Sequence, residues 1–370
     1  MEMGEHIAID GSHGEGGGQL LRTAVTLSAI TGRALVIEHI RAGRRTPGLA
    51  AQHLTAVLSV AKLCEAEVAG ATLSSETLSF RPKVRPQPGN YVFDVAKARE
   101  GGSAGAAALV LQAVALAAVL AEGACHLRIG GGTHVPRSPS YDFIADVWRP
   151  FLGRMGISLE TALNAFGFYP RGQGEIIGQL KGLGPQARTR LKSVQVIDRG
   201  QLRSVSGRAI AASLPSHIPQ RMAARAQAML TELAPSVVIR PELVHAASPG
   251  VGIFLTAEYD GISCGFNAFG ARGKSSETVA EEAVAALIKH LVSNAALDLH
   301  LADQVLLPLA LASSPSAFTC ETVTRHLETN AWIIEQFGIA NICIERQEGG
   351  SAHVSVRPDL ANSAGDRRQS

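Results

Sequence analysis

The chain has 370 residues, of which 46% are hydrophobic, enough to build the cores of two or three domains. Its 34 basic and 32 acidic residues leave a formal charge of +2, which is too even for a protein that coats nucleic acid non-specifically. Five cysteines without a Cys-x-x-Cys pair argue against a disulfide framework or a zinc site, and the start MEMGEHIAIDG lacks an apolar signal core. We therefore expect a cytoplasmic protein without a membrane span, whose contacts with nucleic acid are local.

The first element along the chain is a glycine-rich loop that opens a helix. Residues 10–22 read DGSHGEGGGQLLR, and apolar residues follow at helical spacing from Leu20. The spacing fits neither the dinucleotide fingerprint nor the P-loop, so a tight strand-to-helix turn and a phosphate site both stay open. Glu15 and Arg22 stand on either side of the glycines, where they could hold a metal ion and an anion respectively.

A second loop concentrates positive charge. Arg41, Arg44 and Arg45 crowd the Gly/Pro turn RAGRRTPG, with Gln52 shortly after it. Three cations so close together repel one another, and an anion would relieve the repulsion if they were partly buried. A solvated loop is the alternative to a phosphate site.

The run Ala104–Ala121 is almost entirely apolar, but it carries Gln112 and consists mostly of alanine. It predicts a buried helix packed on a sheet, in preference to a membrane span. A second glycine turn, GGTH, follows it, and Pro136 and Pro139 stiffen the next loop.

A helix followed by two strands recurs along the chain. The copies begin at Leu54, Phe143 and His326, and the first two are separated by about ninety residues. The pattern predicts an α/β (α+β) protein with three two-helix, small-sheet units forming a large domain. Between residues 186 and 274 the register breaks, which indicates an inserted α/β module. The predicted division is a large domain over 1–185 and 275–358, a small domain over 186–274 and a disordered tail over 359–370.

Two polar segments near the C-terminus could carry chemistry. The segment HLADQ, His300 to Gln304, precedes an apolar run, and its Asp303 and Gln304 are either structural hydrogen-bond partners or readers of a base edge. His326 precedes a predicted helix that ends at Gly338. A lone histidine is usually structural, but a helix N-terminus favours the neutral, nucleophilic imidazole that attack on phosphorus requires.

Taken together and in order, these motifs closely resemble the RNA 3'-terminal phosphate cyclase family. The segments that carry the likeness are GEGGGQLLR, RAGRRTPGLAAQHLTAV, GSAGAAALVLQ, GGTH, GFYPRGQG, HLADQVLLPLAL and RHLETN. The resemblance implies a nucleotidyl-transferring ligase that uses ATP to close an RNA 3'-phosphate into a 2',3'-cyclic phosphodiester. It also implies three repeated α/β units with a smaller domain inserted before the third. No obligate protein partner is evident.

The resemblance assigns roles to individual residues. His326 would attack the α-phosphorus of ATP and hold AMP, Glu15 would hold a divalent metal (Mg or Mn), and Arg22, Arg41, Arg44 and Gln52 would bind phosphates. Gln112, Pro139, His300, Leu301, Ala302, Asp303 and Gln304 would enclose the nucleotide, with Pro139 and His300 flanking the adenine.

The sequence departs from the family pattern in three places. Alanines at 106–108 replace small hydroxyl or thiol residues, His300 stands where some members have tyrosine, and Glu328 near His326 could perturb its protonation. Two alternative hypotheses remain. The first is a non-catalytic relative of the cyclases that serves as a scaffold in ribosome assembly, and such a protein would lack the histidine at 326. The second is an enolpyruvyl transferase, which would not need that histidine.

Overall fold

The structure, a computed structural model, describes residues 6–99 and 102–360. Most of the predicted disordered tail, residues 361–370, lies outside the described residues. Strands and helices alternate through the described chain, which confirms the α/β class. The division into a large and an inserted domain stays a prediction.

The strands are short, with buried and exposed side chains alternating in most of them, as sheets covered on one face require. In chain order they are β1 (His6–Asp10), β2 (Ala34–Glu38), β3 (Glu67–Ala69), β4 (Leu78–Arg81), β5 (Gly89–Asp94), β6 (Ala124–Gly131), β7 (Ser158–Ala165), β8 (Gly174–Lys181), β9 (Gln195–Val196), β10 (Leu202–Ala212), β11 (Val237–Val244), β12 (Gly250–Tyr259), β13 (Ser263–Phe269), β14 (Ser316–Cys320), β15 (Ala340–Arg346) and β16 (Ala352–Pro358).

The α-helices are α1 (Gly18–Thr31), α2 (Ala51–Leu63), α3 (Ala107–Ala118), α4 (Tyr141–Phe143), α5 (Arg149–Arg154), α6 (Ala187–Arg190), α7 (His217–Leu230), α8 (Ser276–Ser293), α9 (Leu301–Gln304), α10 (Leu306–Ala310) and α11 (Arg325–Gln336). A π-helical stretch, Ile144–Trp148, joins α4 to α5, and two 3₁₀ helices span Val95–Ala98 and Glu348–Gly350.

Three of the sheets in the described chain have the same strand arrangement. Their orders are β1-β2-β4-β3, β5-β6-β8-β7 and β9-β14-β16-β15. In each sheet the first pair is parallel and the other two pairs are antiparallel. A parallel pair needs a crossover connection, and α1 and α3 provide it in the first two sheets. In the third sheet the connection from β9 to β14 contains the whole of a fourth sheet, ordered β11-β10-β12-β13.

Helix α1 lies at the centre of the helical layer and packs against α2, α3 and α11. The run predicted as a buried helix forms α3, whose alanines at 107, 108, 113, 115, 117 and 118 are all buried. Within the described residues no helix combines the length and apolar character that crossing a membrane requires. Helix α8 packs against α7 and against β13 of the fourth sheet.

Candidate active site

The N-terminal ends of α1, α2, α3 and α11 converge on one place. The backbone amide of Glu15, just before α1, donates to Thr329 Oγ1 of α11 at 2.9 Å. At the start of α2, Gln52 Oε1 accepts a hydrogen bond from the amide of Ala106, which precedes α3, at 3.1 Å. Since α1 also packs on α2, four positive dipole ends point into a shared region. This arrangement favours an anionic ligand.

Glycine is required in this loop for two reasons, the backbone conformation and the close approach of neighbouring side chains. Gly14 and Gly16 have φ values of +60° and +58°, which L side chains rarely adopt. A β-carbon on Gly17 would lie 1.8 Å from Glu15 Oε2, and one on Gly18 would lie 2.0 Å from His53 Nε2. The glycines therefore let a carboxylate and an imidazole lie directly against the start of α1.

Glu15 is the acidic group of the cluster. Its Oε1 forms an ion pair with the Arg44 guanidinium, whose Nη2 also donates to the Glu15 carbonyl at 3.1 Å. Its Oε2 is buried, has no hydrogen-bond partner within the described chain and lies 3.9 Å from His326 Nδ1. A buried carboxylate oxygen without a partner fits a cation ligand, and Mg²⁺ commonly takes a single protein carboxylate together with substrate phosphates. The described residues contain no group of three or more His, Cys, Asp or Glu side chains arranged to hold a metal.

His326 is the second residue of α11, and its side chain is 48% exposed. Thr324 caps the helix, its Oγ1 accepting from the amide of Leu327 at 3.0 Å. Burial, and then the charges of Arg22, Arg44 and His300, lower the pKa of His326 below its usual value. Its Nδ1 faces Glu15, which leaves Nε2 as the edge that can react. The site therefore favours a neutral imidazole.

The expected influence of Glu328 on His326 is not found. Glu328 forms an ion pair with Arg346, and its charge is not among the causes of the lowered His326 pKa. Glu328 lies two positions after His326, so at about 100° per residue the two side chains are about 200° apart around α11, and the Glu328 carboxylate faces Arg346 of β15 instead.

Arg22 carries a cation into the interior of the cluster. Burial lowers the pKa of Arg22 to about 10, and the charge of Asp303 opposes this shift. Within the described chain its guanidinium forms no hydrogen bond and no ion pair. A desolvated guanidinium without an acceptor is suited to phosphate oxygens.

The other predicted phosphate-binding residues lie in the same region but make different contacts. Arg41 Nη1 donates to the Gly48 carbonyl at 2.6 Å, and burial lowers the pKa of Arg41. The Gln52 oxygen is used by Ala106, while Gln52 Nε2 lies 3.5 Å from His53 Nε2. Arg41 and Gln52 thus also shape the loops that surround Arg22 and Arg44.

The segment from His300 to Gln304 joins the cluster through its polar groups. Asp303 Oδ2 accepts from Gln19 Nε2 at 2.5 Å, and the Gln304 Oε1 accepts from Gln112 Nε2 at 2.5 Å. Burial raises the pKa of Asp303 to about 6, against the hydrogen bond from Gln19. In this structure Asp303 and Gln304 are hydrogen-bond partners of neighbouring helices, one of the two interpretations that the sequence left open.

The remaining nucleotide candidates are less closely joined. Leu301 and Ala302 are buried, whereas His300 is exposed and its amide donates to Asp298 Oδ1 at 2.8 Å. Pro139 is half-buried in the loop from β6 to α4. Val135 of that loop packs against Ala106 and Leu109 at the start of α3, so the loop borders the cluster although no hydrogen bond ties Pro139 to it within the described residues.

His53 belongs to the site and was missed by reasoning from the sequence. It is buried, and burial followed by the charges of Arg22, Arg41 and Arg44 lowers its pKa to about 3. Its Nδ1 accepts from the Ala50 amide at 3.3 Å, so the neutral ring caps α2. A histidine after Gln52 in an apolar helix gives no sequence signal of its own, because the arginines around it come from other elements.

Two side chains of α11 were missed for the same reason. Thr23 Oγ1 donates to Asn330 Oδ1 at 2.6 Å, and Asn330 Nδ2 donates to the Asp303 carbonyl at 2.7 Å. With the Thr329 contact to Glu15, these bonds fix α11 against α1 and α9. They fix the position of α11, which carries His326, relative to the glycine loop.

Comparison with known proteins identifies relatives over almost the whole chain. A family model described as RNA 3'-terminal phosphate cyclase matches residues 13–344. The chain is 51% identical over 355 residues to a protein of Methylococcus capsulatus named RNA 3'-terminal phosphate cyclase, covering 96% of this chain and 97% of that protein. Proteins of the same name from Nostoc punctiforme and Methanopyrus kandleri are 48% and 39% identical, covering 92% and 95% of this chain and 97% and 99% of their own lengths.

Proposed function

The chain belongs to the RNA 3'-terminal phosphate cyclase family and is an enzyme that cyclises RNA 3'-phosphate ends, and we propose that it does so with ATP through a covalent AMP on His326. The observation that carries the proposal is the position of His326. A neutral imidazole with a free Nε2 edge lies at a helix N-terminus, beside a carboxylate and two arginines.

In the first step, the Nε2 lone pair attacks the α-phosphorus of ATP. The bond from the α-phosphorus to its bridging oxygen breaks, pyrophosphate leaves, and a phosphoramidate P–N bond forms. In the second step, an oxygen of the RNA 3'-phosphate attacks this phosphorus, and His326 departs as the P–N bond breaks. In the third step, the neighbouring 2'-hydroxyl loses its proton and attacks the RNA phosphorus, forming the 2',3'-cyclic diester and releasing AMP.

Attachment of AMP removes an obstacle to nucleophilic attack on the RNA 3'-phosphate. A phosphate dianion repels nucleophiles and has no good leaving group until an adenylate is attached. Cations around the site reduce the repulsion between the phosphate dianion and the nucleophile. Arg22, Arg41, Arg44 and Gln52 would bind the phosphates. The strongest support for this part of the proposal is the half-buried Arg22, whose guanidinium has no hydrogen bond or ion pair within the described chain.

The nucleotide would lie between α3 and the loop that contains α9. Gln112 would face it from α3, and His300, Leu301, Ala302, Asp303 and Gln304 would line the opposite wall, with Pro139 and His300 flanking the adenine. The hydrogen bonds from Gln19 to Asp303 and from Gln112 to Gln304 support a preformed wall, because they fix both side chains before a ligand arrives.

A divalent metal, Mg or Mn, is part of the proposal, and Glu15 would hold it through the unpartnered Oε2. When bound, the ion would neutralise triphosphate charge and assist departure of pyrophosphate. Glu15 itself keeps Arg44 in place and faces His326 Nδ1, so it also orients the imidazole. The proposed reaction is RNA processing in the cytoplasm, a location expected from the cysteine pattern.

The decisive experiment measures the intact mass of the purified protein after incubation with ATP and Mg²⁺ or Mn²⁺. We expect one added AMP, on the peptide that contains His326, which is labile in acid, stable in base and discharged by RNA with a 3'-phosphate. His326→Ala should form none. His217→Ala, which removes an exposed histidine at the start of α7, is the matched control and should form the adduct normally.

Absence of any adduct from the wild-type protein with either metal would overturn the covalent mechanism. It would favour a scaffold related to the cyclases. Release of AMP by small phosphate esters in place of RNA 3'-phosphate would instead point to a transferase of another class.

A further inference from the structure

One motif from the sequence, GFYPRGQG, has no part in the chemistry above. Its turn, Gly167–Gly174, places Tyr169 at the tip, where 71% of the residue is exposed. Single exposed apolar residues are common on proteins and need no explanation on their own. Three further observations set this tyrosine apart.

First, the turn is rigid. Phe168 is buried among Ile210, Ala212 and Phe254, and the Gly172 amide donates to the Phe168 carbonyl at 2.8 Å. The Arg171 amide donates to Ser248 Oγ at 3.1 Å. An exposed aromatic ring on a fixed backbone loses little conformational entropy when another ring stacks on it.

Second, the surface around Tyr169 is basic. Arg171 on the same turn and Arg137 on the loop after β6 are both exposed, and neither forms an ion pair within the described chain. The two loops are bonded together, since the amides of Thr133 and His134 both donate to the Gly167 carbonyl. Neither the turn 167–174 nor the loop 132–140 contains an acidic residue.

Third, the turn borders the phosphate residues of the proposed site. A β-carbon on Gly172 would lie 3.0 Å from Ala104 Cα, so the turn packs directly on the loop before α3. A β-carbon on Gly105, the next residue of that loop, would lie 3.0 Å from the Cβ of Gln52. The loop before α3 therefore contacts both the turn and Gln52, one of the proposed phosphate-binding side chains.

We propose that the surface formed by Tyr169, Arg171 and Arg137 binds the RNA strand upstream of its 3'-terminal phosphate, with a base stacked on Tyr169 and a backbone phosphate on the arginines. The inference rests on the proposed function, because the terminal phosphate must lie among Arg22, Arg44 and Gln52. Stacking on an aromatic ring together with backbone phosphate contacts is a sequence-tolerant way to hold single-stranded nucleic acid. A surface of this kind selects a strand over a mononucleotide without reading a base.

The test compares two probes that share a terminal phosphate, a ten-nucleotide RNA with a 3'-phosphate and uridine 3'-phosphate. Binding of the RNA is followed by fluorescence anisotropy, and binding of the mononucleotide by displacement. Tyr169→Ala should weaken RNA binding about tenfold, the scale of one lost base stack. Arg171→Ala should also weaken it, through the loss of one phosphate contact. Binding of uridine 3'-phosphate and formation of the AMP adduct should stay as in the wild type.

Two further variants make the result specific. Tyr169→Trp should retain RNA affinity, because it keeps an aromatic face, and Arg171→Ala should lower the slope of log affinity against log salt by about 1. Arg85→Ala is the matched control, since the Arg85 side chain is exposed, forms no ion pair within the described residues and lies close to the C-terminal end of α2. It should leave both affinities unchanged.

Unchanged RNA affinity in Tyr169→Ala, or an equal loss for both probes, would overturn the inference. Loss of the AMP adduct in that variant would do so as well, because the turn would then act on the nucleotide. If the wild-type protein formed no adduct, the proposed function would fail, yet the difference between the two probes would still report on this surface.

Discussion

The residues of the site are arranged at a cost to stability. Arg22 is a cation that burial pushes toward its neutral form, and Glu15 Oε2 is a buried oxygen without a donor within the described chain. Unpaired buried polar groups destabilise a fold, so their presence together is typical of a site that a ligand completes.

Arg22→Met should make the empty protein more stable and the enzyme inactive. Because burial lowers the pKa of Arg22 from 12.5 to about 10, keeping the guanidinium charged at neutral pH costs on the order of 3 kcal/mol, which methionine would avoid. We expect a higher Tm by calorimetry and no AMP adduct. Added ATP should raise the Tm of the wild type but not of the variant, since only the wild type gains a partner for the charge.

Arg85→Met provides the control for that measurement, because its side chain is exposed and distant from the start of α2. Its Tm should stay near that of the wild type with and without ATP. A lower Tm for Arg22→Met in the absence of ligand would show that Arg22 is a structural residue satisfied by the fold itself.

At the scale of elements, the glycine loop shows how a short segment sets the geometry of a site. Positive φ values at Gly14 and Gly16 turn the chain, while Gly17 and Gly18 leave space that Glu15 and His53 occupy. Gly17 itself has an ordinary extended conformation, with φ −114° and ψ −169°, so its requirement for glycine is entirely one of space.

Gly17→Ala should therefore fold but lose catalysis. The added methyl group would lie 1.8 Å from Glu15 Oε2, so the carboxylate would have to move away from both Arg44 and His326. We expect the rate of adduct formation to fall about a hundredfold, as displacement of a positioning group by about 1 Å does. Rapid-quench measurement of the adduct checks this.

The comparison variant is Gly153→Ala, in α5, where a β-carbon would meet no atom within 4 Å. It should keep the full rate and gain about 1 kcal/mol of stability from its helix propensity. A normal rate in folded Gly17→Ala would contradict the role assigned to Glu15.

The helices and strands could largely be predicted from local sequence patterns, whereas the way they pack together could not. The alanine-rich run predicted α3, but the helix begins at Ala107 because the preceding amide of Ala106 bonds to Gln52, more than fifty residues away. The apolar side chains of α8 do not by themselves specify that α7 and β13 cover them. His53 illustrates the same limit, since its neighbours in space are remote in sequence.

At the scale of the whole molecule, an ionic cluster centred on the buried Asp142 joins the segment after β6 to the fourth sheet. His134, fully buried after β6, bonds to Asp142 Oδ2 at 2.7 Å, and Arg208 of β10 bonds to Asp142 Oδ1 at 3.0 Å. Arg208 also bonds to Glu242 of β11 at 2.6 Å and 3.0 Å. The cluster fixes the loop that carries Arg137 and Pro139 against the fourth sheet.

Asp142→Asn should destabilise the protein by about 3 kcal/mol at neutral pH, because it leaves the buried end of Arg208 without its carboxylate. Burial would raise the pKa of Asp142, but hydrogen bonds and charges from His134 and Arg208 outweigh it and hold the pKa below its usual value. The stabilisation is therefore present above the unfolded-state pKa of about 3.9 and disappears as the pH falls through the lower folded value. The Tm difference between variant and wild type should narrow as the pH falls below about 4.

Glu242→Gln is the companion variant. Glu242 is about one-third exposed, so water can replace its contact with Arg208, and the loss of stability should be smaller. Equal Tm losses in the two variants, or a difference that does not change with pH, would remove Asp142 from its central position in the cluster.

The third sheet also has a consequence for how the enzyme is made. Its first two strands, β9 and β14, are separated by roughly 120 residues of chain, and forming their contact requires the fourth sheet and its helices to bring these ends together. During synthesis, strands β1 to β8 can pair as soon as they leave the ribosome, whereas β9 must wait for its neighbour. His326 is translated after β14, so the arginines of the loop RAGRRTPG emerge long before the proposed nucleophile. Under the proposed mechanism, a nascent chain would present cations to RNA or nucleotide while it is still unable to form the adenylate.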